Sequence, residues 1–117
     1  MQATRTRDNR VDTRIDSEQT VRYGLNACER AASAENVSKE GLFISTNTTF
    51  PAGTHIMLEV EFPEASFFHR AEVIWAIRVP EHMQDDLICG MGVKFIKPDT
   101  GWLKFFQNWK AARLALA

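Results

Sequence analysis

The sequence contains little cysteine. Of its 117 residues only two are cysteine, Cys28 and Cys89, and they lie far apart in the chain. Each falls in an apolar stretch typical of a strand, so two buried free thiols in a reducing compartment fit better than a disulfide. The arginine-rich N-terminus also lacks the apolar core of a secretory signal. We therefore expect a cytoplasmic protein.

The sequence also lacks long apolar runs and a strong excess of charge. No stretch approaches the ~18 consecutive apolar residues of a membrane-spanning helix, so no membrane span is predicted. The hydrophobic fraction of 44% and the charged fraction of 25% are ordinary for one globular domain. The net charge of −1 argues against a general binder of nucleic acids.

Signatures of catalysis and metal binding are absent as well. There is no nucleophile motif and no glycine-rich phosphate loop that opens a helix. The three histidines, His55, His69 and His82, do not have the spacing of metal ligands. We therefore predict that the protein is not an enzyme and holds neither a metal nor a cofactor.

Positive charge is concentrated at the two ends of the chain. Residues 1–14 carry four arginines against two aspartates, and residues 97–117 carry four basic residues against one aspartate. Residues 36–96 carry four basic and eight acidic residues. An anionic ligand or partner would be drawn to the ends. The acidic middle argues against a barrel that binds single-stranded nucleic acid.

Alternation of apolar and polar residues predicts five strands in the middle of the chain. They cover residues 20–31, 42–46, 55–62, 67–79 and 87–96. Residues 32–39 are predicted to be a connection. The core face of the fourth strand is predicted to carry Ala71, Val73, Trp75 and Ile77. In the fifth, Gly90 and Gly92 fall opposite the core, where small residues permit a close approach.

A change of period after Pro98 predicts a C-terminal helix. Aromatic residues recur there at spacings of three and four, at Trp102, Phe105, Phe106 and Trp109. Asp99 or Thr100 can cap the first turn. Short strands and one helix favour an antiparallel barrel or sandwich. We expect the wide aromatic face to close an end or side of it and to leave part of its edge for a partner.

Two polar motifs carry the functional argument. Arg10 and Arg14 stand four apart in a polar segment, and Asn36-Val37-Ser38-Lys39-Glu40-Gly41 leads into an apolar strand. In extended backbone Asn36 and Ser38 would point to the same side. Gly41 removes a side chain where the chain must turn tightly or let something, such as a ligand, approach its backbone. Either motif alone is more often a solvated surface or a turn than a binding site.

In combination, RxxxR followed by NxSxxG resembles the signature of the PilZ family of cyclic di-GMP receptors. The segments 73–75 and 90–95 are similar to that family's fourth strand and closing strand. The resemblance implies a mainly β fold, a small six-stranded antiparallel barrel of split-barrel type with a C-terminal helix. Residues 1–9 are polar and without apolar periodicity, so we predict that they are disordered and that residues 10–117 form a single domain. Within that domain we expect an arginine-bearing loop at 10–18, the barrel at 19–97 and the helix at 99–115.

The resemblance further implies that the protein binds cyclic di-GMP as a ligand. The implied ligand-binding residues are Arg10, Arg14, Asn36, Ser38 and Gly41, with Asn9 as a further contributor. An arginine guanidinium can donate two hydrogen bonds at once, to guanine O6 and N7 or to phosphate oxygens. An asparagine side-chain carbonyl can accept a hydrogen bond from a guanine edge. Such a receptor would relay the second messenger to a protein partner in control of motility, biofilm or pili. A homodimer is compatible with this reading.

A second function remains open from the sequence. PilZ-type adaptors bind proteins without using nucleotide. Asn36 stands where the family more often has aspartate, and Lys39-Glu40 stand where it usually has small or apolar residues. The intact motif residues favour the receptor, because an adaptor would have no evident need of them. Neither reading involves a nucleic-acid polymer.

Overall fold

Six antiparallel strands close into a barrel, and one helix follows them. The computed structural model describes residues 19–80 and 89–116, in which the elements are β1 (Gln19–Gly24), β2 (Arg30–Glu35), β3 (Gly41–Ser45), β4 (His55–Glu61), β5 (Ser66–Ile77), β6 (Gly90–Ile96) and α1 (Thr100–Leu116). Around the barrel the order is β1-β2-β3-β6-β5-β4, and β4 pairs with β1. This confirms the predicted mainly β, six-stranded barrel with its C-terminal helix. None of the helices in the described ranges is long and apolar enough to cross a membrane.

The start of the barrel differs from the sequence prediction, because residues 20–31 do not form one strand. β1 ends at Gly24, and β2 occupies residues 30–35, most of which were predicted to be a connection. Leu25 continues the apolar alternation of β1 but lies in the turn and is 50% exposed. Cys28 lies half-buried in the same turn, whereas Cys89 is buried; both thiols are free.

The hydrophobic core fills the barrel interior. The inward positions of β4 are Ile56, Leu58 and Val60, all at most 2% exposed, as their alternation predicts. Val21 and Tyr23 of β1 meet them from the neighbouring strand and are fully buried. Burial of each such side chain contributes about 1.5–3 kcal/mol, so this interior holds the strands in register.

A β-bulge changes the face of the second half of β5. Ala71 and Val73 are fully buried, as predicted. Between Val73 and Trp75 the register with β6 shifts by one residue, so that Trp75 lies opposite Gly92. Trp75 and Ile77 therefore face outward and are 46% and 43% exposed. The prediction that they share the core face was wrong, because an extra residue in a strand re-aims every side chain that follows it.

Helix α1 closes one end of the barrel with aromatic side chains. The Asp99 carboxylate caps it by accepting from the Trp102 backbone N–H at 2.8 Å. Trp102, Phe106 and Trp109 are at most 6% exposed. They pack with rings from the ends of the strands, namely Phe62, Phe67, His69 and Phe95. The predicted closure is confirmed, and the partner edge stays a prediction.

The rings packed between α1 and the strand ends form an aromatic seam, made up of Phe62, Phe67, His69, Phe95, Trp102, Phe106 and Trp109. His69 is its polar member. Its ring stacks on Phe95 with centroids 3.9 Å apart and meets the edge of Trp102 at 4.8 Å. Within the described residues its Nε2 is buried without a hydrogen-bond partner. Burial lowers the pKa of His69 from 6.5 to about 4, and the Asp99 carboxylate opposes this shift only in part. The fold therefore holds His69 neutral at neutral pH.

Acidification should destabilise the protein through His69. The unfolded chain takes up the proton near pH 6.5 and the folded chain only near pH 4, so the unfolded state binds more protons between these values. The contribution of neutral His69 to the free energy of unfolding is therefore complete above about pH 6.5. At about pH 4.5 that contribution is lower by about 2.5 kcal/mol. Urea denaturation of the wild type and of His69→Phe at both pH values measures this. Parallel pH profiles for the two proteins would contradict it.

Candidate functional site

An open groove of about 740 Å³ crosses the outer face of the barrel. It runs over β2, β3, β6 and β5, from the end that carries the helix towards the opposite end. The groove is lined by Glu35, Asn36, Glu40, Gly41, Leu42, Phe43, Ile74, Trp75, Ile77, Gly92, Val93 and Lys94. It therefore combines a polar rim with an aromatic and aliphatic floor.

The floor centres on one row of residues across four strands. Glu35, Phe43, Gly92 and Trp75 lie opposite one another in register. Because Gly92 has no side chain, the rings of Phe43 and Trp75 meet above it, with centroids 5.4 Å apart and an interplanar angle of 25°. A Cβ at Gly92 would stand 2.5 Å from Trp75 Nε1. The stacked Phe43 and Trp75 rings, the aromatic pair, depend on this glycine.

Asn36 stands on the rim of the groove at the end of β2. Its φ of 55° is left-handed, a conformation that asparagine tolerates better than most residues. The backbone is therefore not extended here, and the prediction that Asn36 and Ser38 point to the same side was wrong. Asn36 is exposed, whereas Ser38 is fully buried.

Ser38 organises residues 36–41, the motif loop, from within. Its hydroxyl donates to the Gly41 carbonyl and accepts from the backbone N–H groups of Glu40 and Gly41, each at 3.2 Å. Its own N–H donates to the Gly41 carbonyl at 2.8 Å. The hydroxyl, which the sequence suggested for the ligand, is thus engaged in the turn. Its position allows it to shape a binding loop rather than to touch a molecule in the groove.

Gly41 lines the groove, but its missing side chain serves the barrel. A Cβ on Gly41 would collide with the carbonyl oxygen of Val93 in β6. The glycine thus lets β3 and β6 pair closely at a position where a ligand was expected to approach the backbone. The binding role of Gly41 stays a prediction, and its conformational role is a property of the fold.

Two neighbouring elements fix the carbonyl groups of the motif loop. The Glu40 carbonyl accepts from the Phe95 N–H of β6 at 2.8 Å. The Lys39 carbonyl accepts from the indole N–H of Trp102 in α1 at 3.0 Å. The loop is therefore tied to β6, to the helix and to itself, and it presents Asn36 on a rigid base.

The described part of the groove is slightly acidic. Among its lining residues, Glu35 and Glu40 carry negative charge and Lys94 carries positive charge. Arg10, Arg14 and Asn9 lie outside the described residues. Of the predicted ligand-binding residues the structure thus places Asn36 and Gly41 on the groove and Ser38 beneath it.

The aromatic pair was not predicted from the sequence. Trp75 was assigned to the core, since the bulge before it leaves no mark in the apolar alternation. The pattern Gly90-x-Gly92 on the outer face was the available signal, because it predicts that something bulky lies against β6. Phe43 and Trp75 are what lies there.

Comparisons with known proteins complete the description. The family model of the PilZ domain matches residues 5–104. The Bacillus subtilis inhibitor of motility, MotI/DgrA, is a solved structure that matches with a TM-score of 0.74 at 17% identity, over 92% of this chain and 53% of that one. The chain therefore spans about half of that protein, and at this identity the likeness concerns the fold. No curated protein matches the sequence. The family match covers most of the chain, which belongs to the PilZ domain family.

Proposed function

We propose that this PilZ domain is a receptor for cyclic di-GMP and that the groove is its binding site. The observation that carries the proposal is the placement of Asn36, on the rim, beside the aromatic pair, of which Trp75 is exposed, in one groove of about 740 Å³. A purine needs both features, a flat apolar surface for its face and polar groups for its edge. The motif residues and the family support the choice of nucleotide.

The groove offers separate contacts to the face and the edge of a guanine. Stacking of a base on an aromatic side chain is worth about 1–3 kcal/mol, and Trp75 is 46% exposed for this purpose. Guanine N1–H and N2–H₂ are donors, which the carboxylates of Glu35 or Glu40 and the amide oxygen of Asn36 can accept. The neighbouring carboxylates compensate for the family's usual aspartate at position 36.

The phosphates require positive charge from outside the described groove. Two carboxylates and one ammonium line it, which does not favour a dianion. Arg10 and Arg14 would supply the missing charge with forked, bidentate bonds. The barrel begins at Gln19, which pairs with Ala34, two residues before Asn36. A tether of five residues spans up to about 17 Å, so Arg14 can reach the rim of the groove.

The proposed output follows from that geometry. A ligand held by the arginine segment on one side and the barrel on the other changes the surface offered to a protein partner. The structural neighbour MotI/DgrA is an inhibitor of motility, so we propose control of motility, biofilm or pili as the area in which a partner should be sought. A pure adaptor would bind its partner equally well with and without nucleotide.

Substitutions in the groove and in the arginine pair should weaken binding of cyclic di-GMP. We expect Arg10→Ala, Arg14→Ala and Trp75→Ala each to reduce affinity by about 1–3 kcal/mol, because each removes a fork or a stacking surface. Isothermal calorimetry measures the loss. Phe68→Ala is the matched control, since Phe68 is an exposed aromatic on the same strand, 62% exposed, that does not line the groove.

These variants also test where the ligand sits. Trp75 lies on the outer face of the barrel, and Arg10 and Arg14 belong to a polar segment of the sequence, so the melting temperatures of the three variants should stay close to that of the wild type. If Trp75→Ala binds as tightly as the wild type while the arginine variants do not, the ligand lies elsewhere on the barrel. If none of the three loses affinity, the site assignment is wrong.

A further inference from the structure

One hydrogen bond joins the motif loop to helix α1. The indole N–H of Trp102 donates to the Lys39 carbonyl at 3.0 Å, across 63 positions of sequence. Trp102 is fully buried. A buried indole N–H that loses its partner cannot turn to water, so breaking this bond carries the full cost of an unsatisfied donor.

The loop cannot shift at Lys39 without disturbing the helix. On one side of Lys39 the backbone is held by the hydrogen bonds from Ser38 to Gly41. On the other side it is held by the bond from the Phe95 N–H of β6 to the Glu40 carbonyl. Any displacement of the loop towards or away from a ligand must therefore move the Lys39 carbonyl together with the Trp102 ring, or separate them.

Trp102 in turn is the centre of the aromatic seam. Its ring lies 4.8 Å from His69, 5.5 Å from Phe95, 5.6 Å from Phe106 and 5.9 Å from Phe62, centroid to centroid. Closely packed protein interiors change between discrete arrangements and do not deform gradually. A change at Lys39 is thus passed on to the docking of the whole helix.

We propose that the Lys39–Trp102 bond couples the groove to helix α1. Trp102 is a positioning residue that holds the motif loop in its binding shape, and an occupied groove in turn restrains the helix. The coupling is reciprocal, because any state of the helix that improves ligand affinity must itself be favoured by the ligand. This inference rests on the proposed function, since it concerns the same groove.

The three tryptophans of the chain make the coupling measurable. Trp75 lines the groove, Trp102 bonds the loop, and Trp109 lies further along the helix beneath Arg113, whose guanidinium is 4.5 Å from its ring. We suggest titrating ¹⁵N-labelled full-length protein with cyclic di-GMP and following the indole N–H resonances. The Trp75 and Trp102 signals should shift over the same ligand range, and solvent exchange of the Trp102 indole should slow at least several-fold.

The outcomes separate this inference from the proposed function. A response of Trp75 without any response of Trp102 overturns the coupling and leaves the receptor intact. If no indole N–H resonance shifts at saturating ligand, both the proposed site and the coupling are wrong. The Trp109 resonance reports on the rest of the helix, so a shift there over the same ligand range is the transmission that the coupling predicts, and a shift of Trp109 without one of Trp102 overturns it.

A pair of variants gives a second, independent test. Trp102→Phe keeps a ring in the seam but removes the donor to Lys39 together with part of the buried ring volume, and cyclic di-GMP affinity should fall about tenfold. Phe106→Leu is the matched control, since Phe106 is 2% exposed on the same helix face and the bond to Lys39 comes from Trp102. It should lose stability and keep affinity. Equal losses of affinity in both, or none in Trp102→Phe, would show that Trp102 only supports the fold.

Discussion

Replacement of Gly41 by alanine is expected to destabilise the barrel by about 3 kcal/mol. The added methyl would collide with the Val93 carbonyl oxygen in the adjacent strand. A backbone group cannot rotate away as a side chain can, so β3 and β6 would have to separate where Gly41 pairs with Lys94. Chemical denaturation at neutral pH measures the loss.

Gly101→Ala is the matched control for this substitution. Gly101 lies in the first turn of α1, and the nearest atom to its added Cβ is the capping oxygen of Asp99 at 3.3 Å, which belongs to a side chain and not to the backbone of a neighbouring strand. Its stability should stay within about 1 kcal/mol of the wild type, because alanine is also the better helix former. If Gly41→Ala were equally stable but bound no nucleotide, Gly41 would serve the ligand and not the strand pairing.

Replacement of Trp102 by alanine should cost about 3–5 kcal/mol. The side chain is fully buried, contacts rings from the strand ends and donates to Lys39. Its removal opens a cavity between helix and barrel and leaves the Lys39 carbonyl without its indole donor. A loss of this size is a large share of the about 5–15 kcal/mol total stability of a typical domain, and it should lower the melting temperature by about 10 °C or more.

Leu114 provides the comparison on the same helix. It is 51% exposed, so Leu114→Ala should change stability by no more than about 0.5 kcal/mol. Thermal melts of Trp102→Ala, Leu114→Ala and the wild type compare the two losses of stability directly. Similar melting temperatures for Trp102→Ala and the wild type would mean that the helix does not close the barrel.

Most strands of the barrel could be predicted from the sequence, because a strand with one buried face carries an apolar residue at every second position. Ile56, Leu58 and Val60 recur at every second position, with Glu59 and Glu61 between and after the last two, and all three are buried as expected. β2 could not be recognised in this way, since its sequence RAASAE offers small side chains and only Ala34 is fully buried. Its position is set by pairing with β1 and β3, which single-strand patterns do not contain.

The motif residues were found from the sequence, but their physical roles were not. Asn36 adopts a left-handed backbone, Ser38 closes a turn and Gly41 makes room for β6. Each residue type therefore has a reason in the shape of the loop itself. The argument that an adaptor would not need them does not hold, and the case for a ligand rests instead on the placement of Asn36 in the groove beside the aromatic pair, and on the arginines.

The aromatic pair shows why part of the site was beyond sequence reasoning. Trp75 reaches the outer face only because β5 bulges after Val73, and a bulge adds one residue without changing composition. Phe43 meets it only because three strands that are distant in sequence lie side by side. Register across strands, which no local pattern encodes, creates this surface.

Calorimetric titration of the intact chain with cyclic di-GMP tests the central claim most directly. Cyclic di-AMP is the matched ligand, because it keeps the ring of two phosphates and replaces the guanine O6 acceptor by an amino donor. We predict saturable heat with cyclic di-GMP and at least tenfold weaker binding of cyclic di-AMP. The absence of binding heat with cyclic di-GMP at several temperatures would contradict the receptor and favour an adaptor that does not use nucleotide.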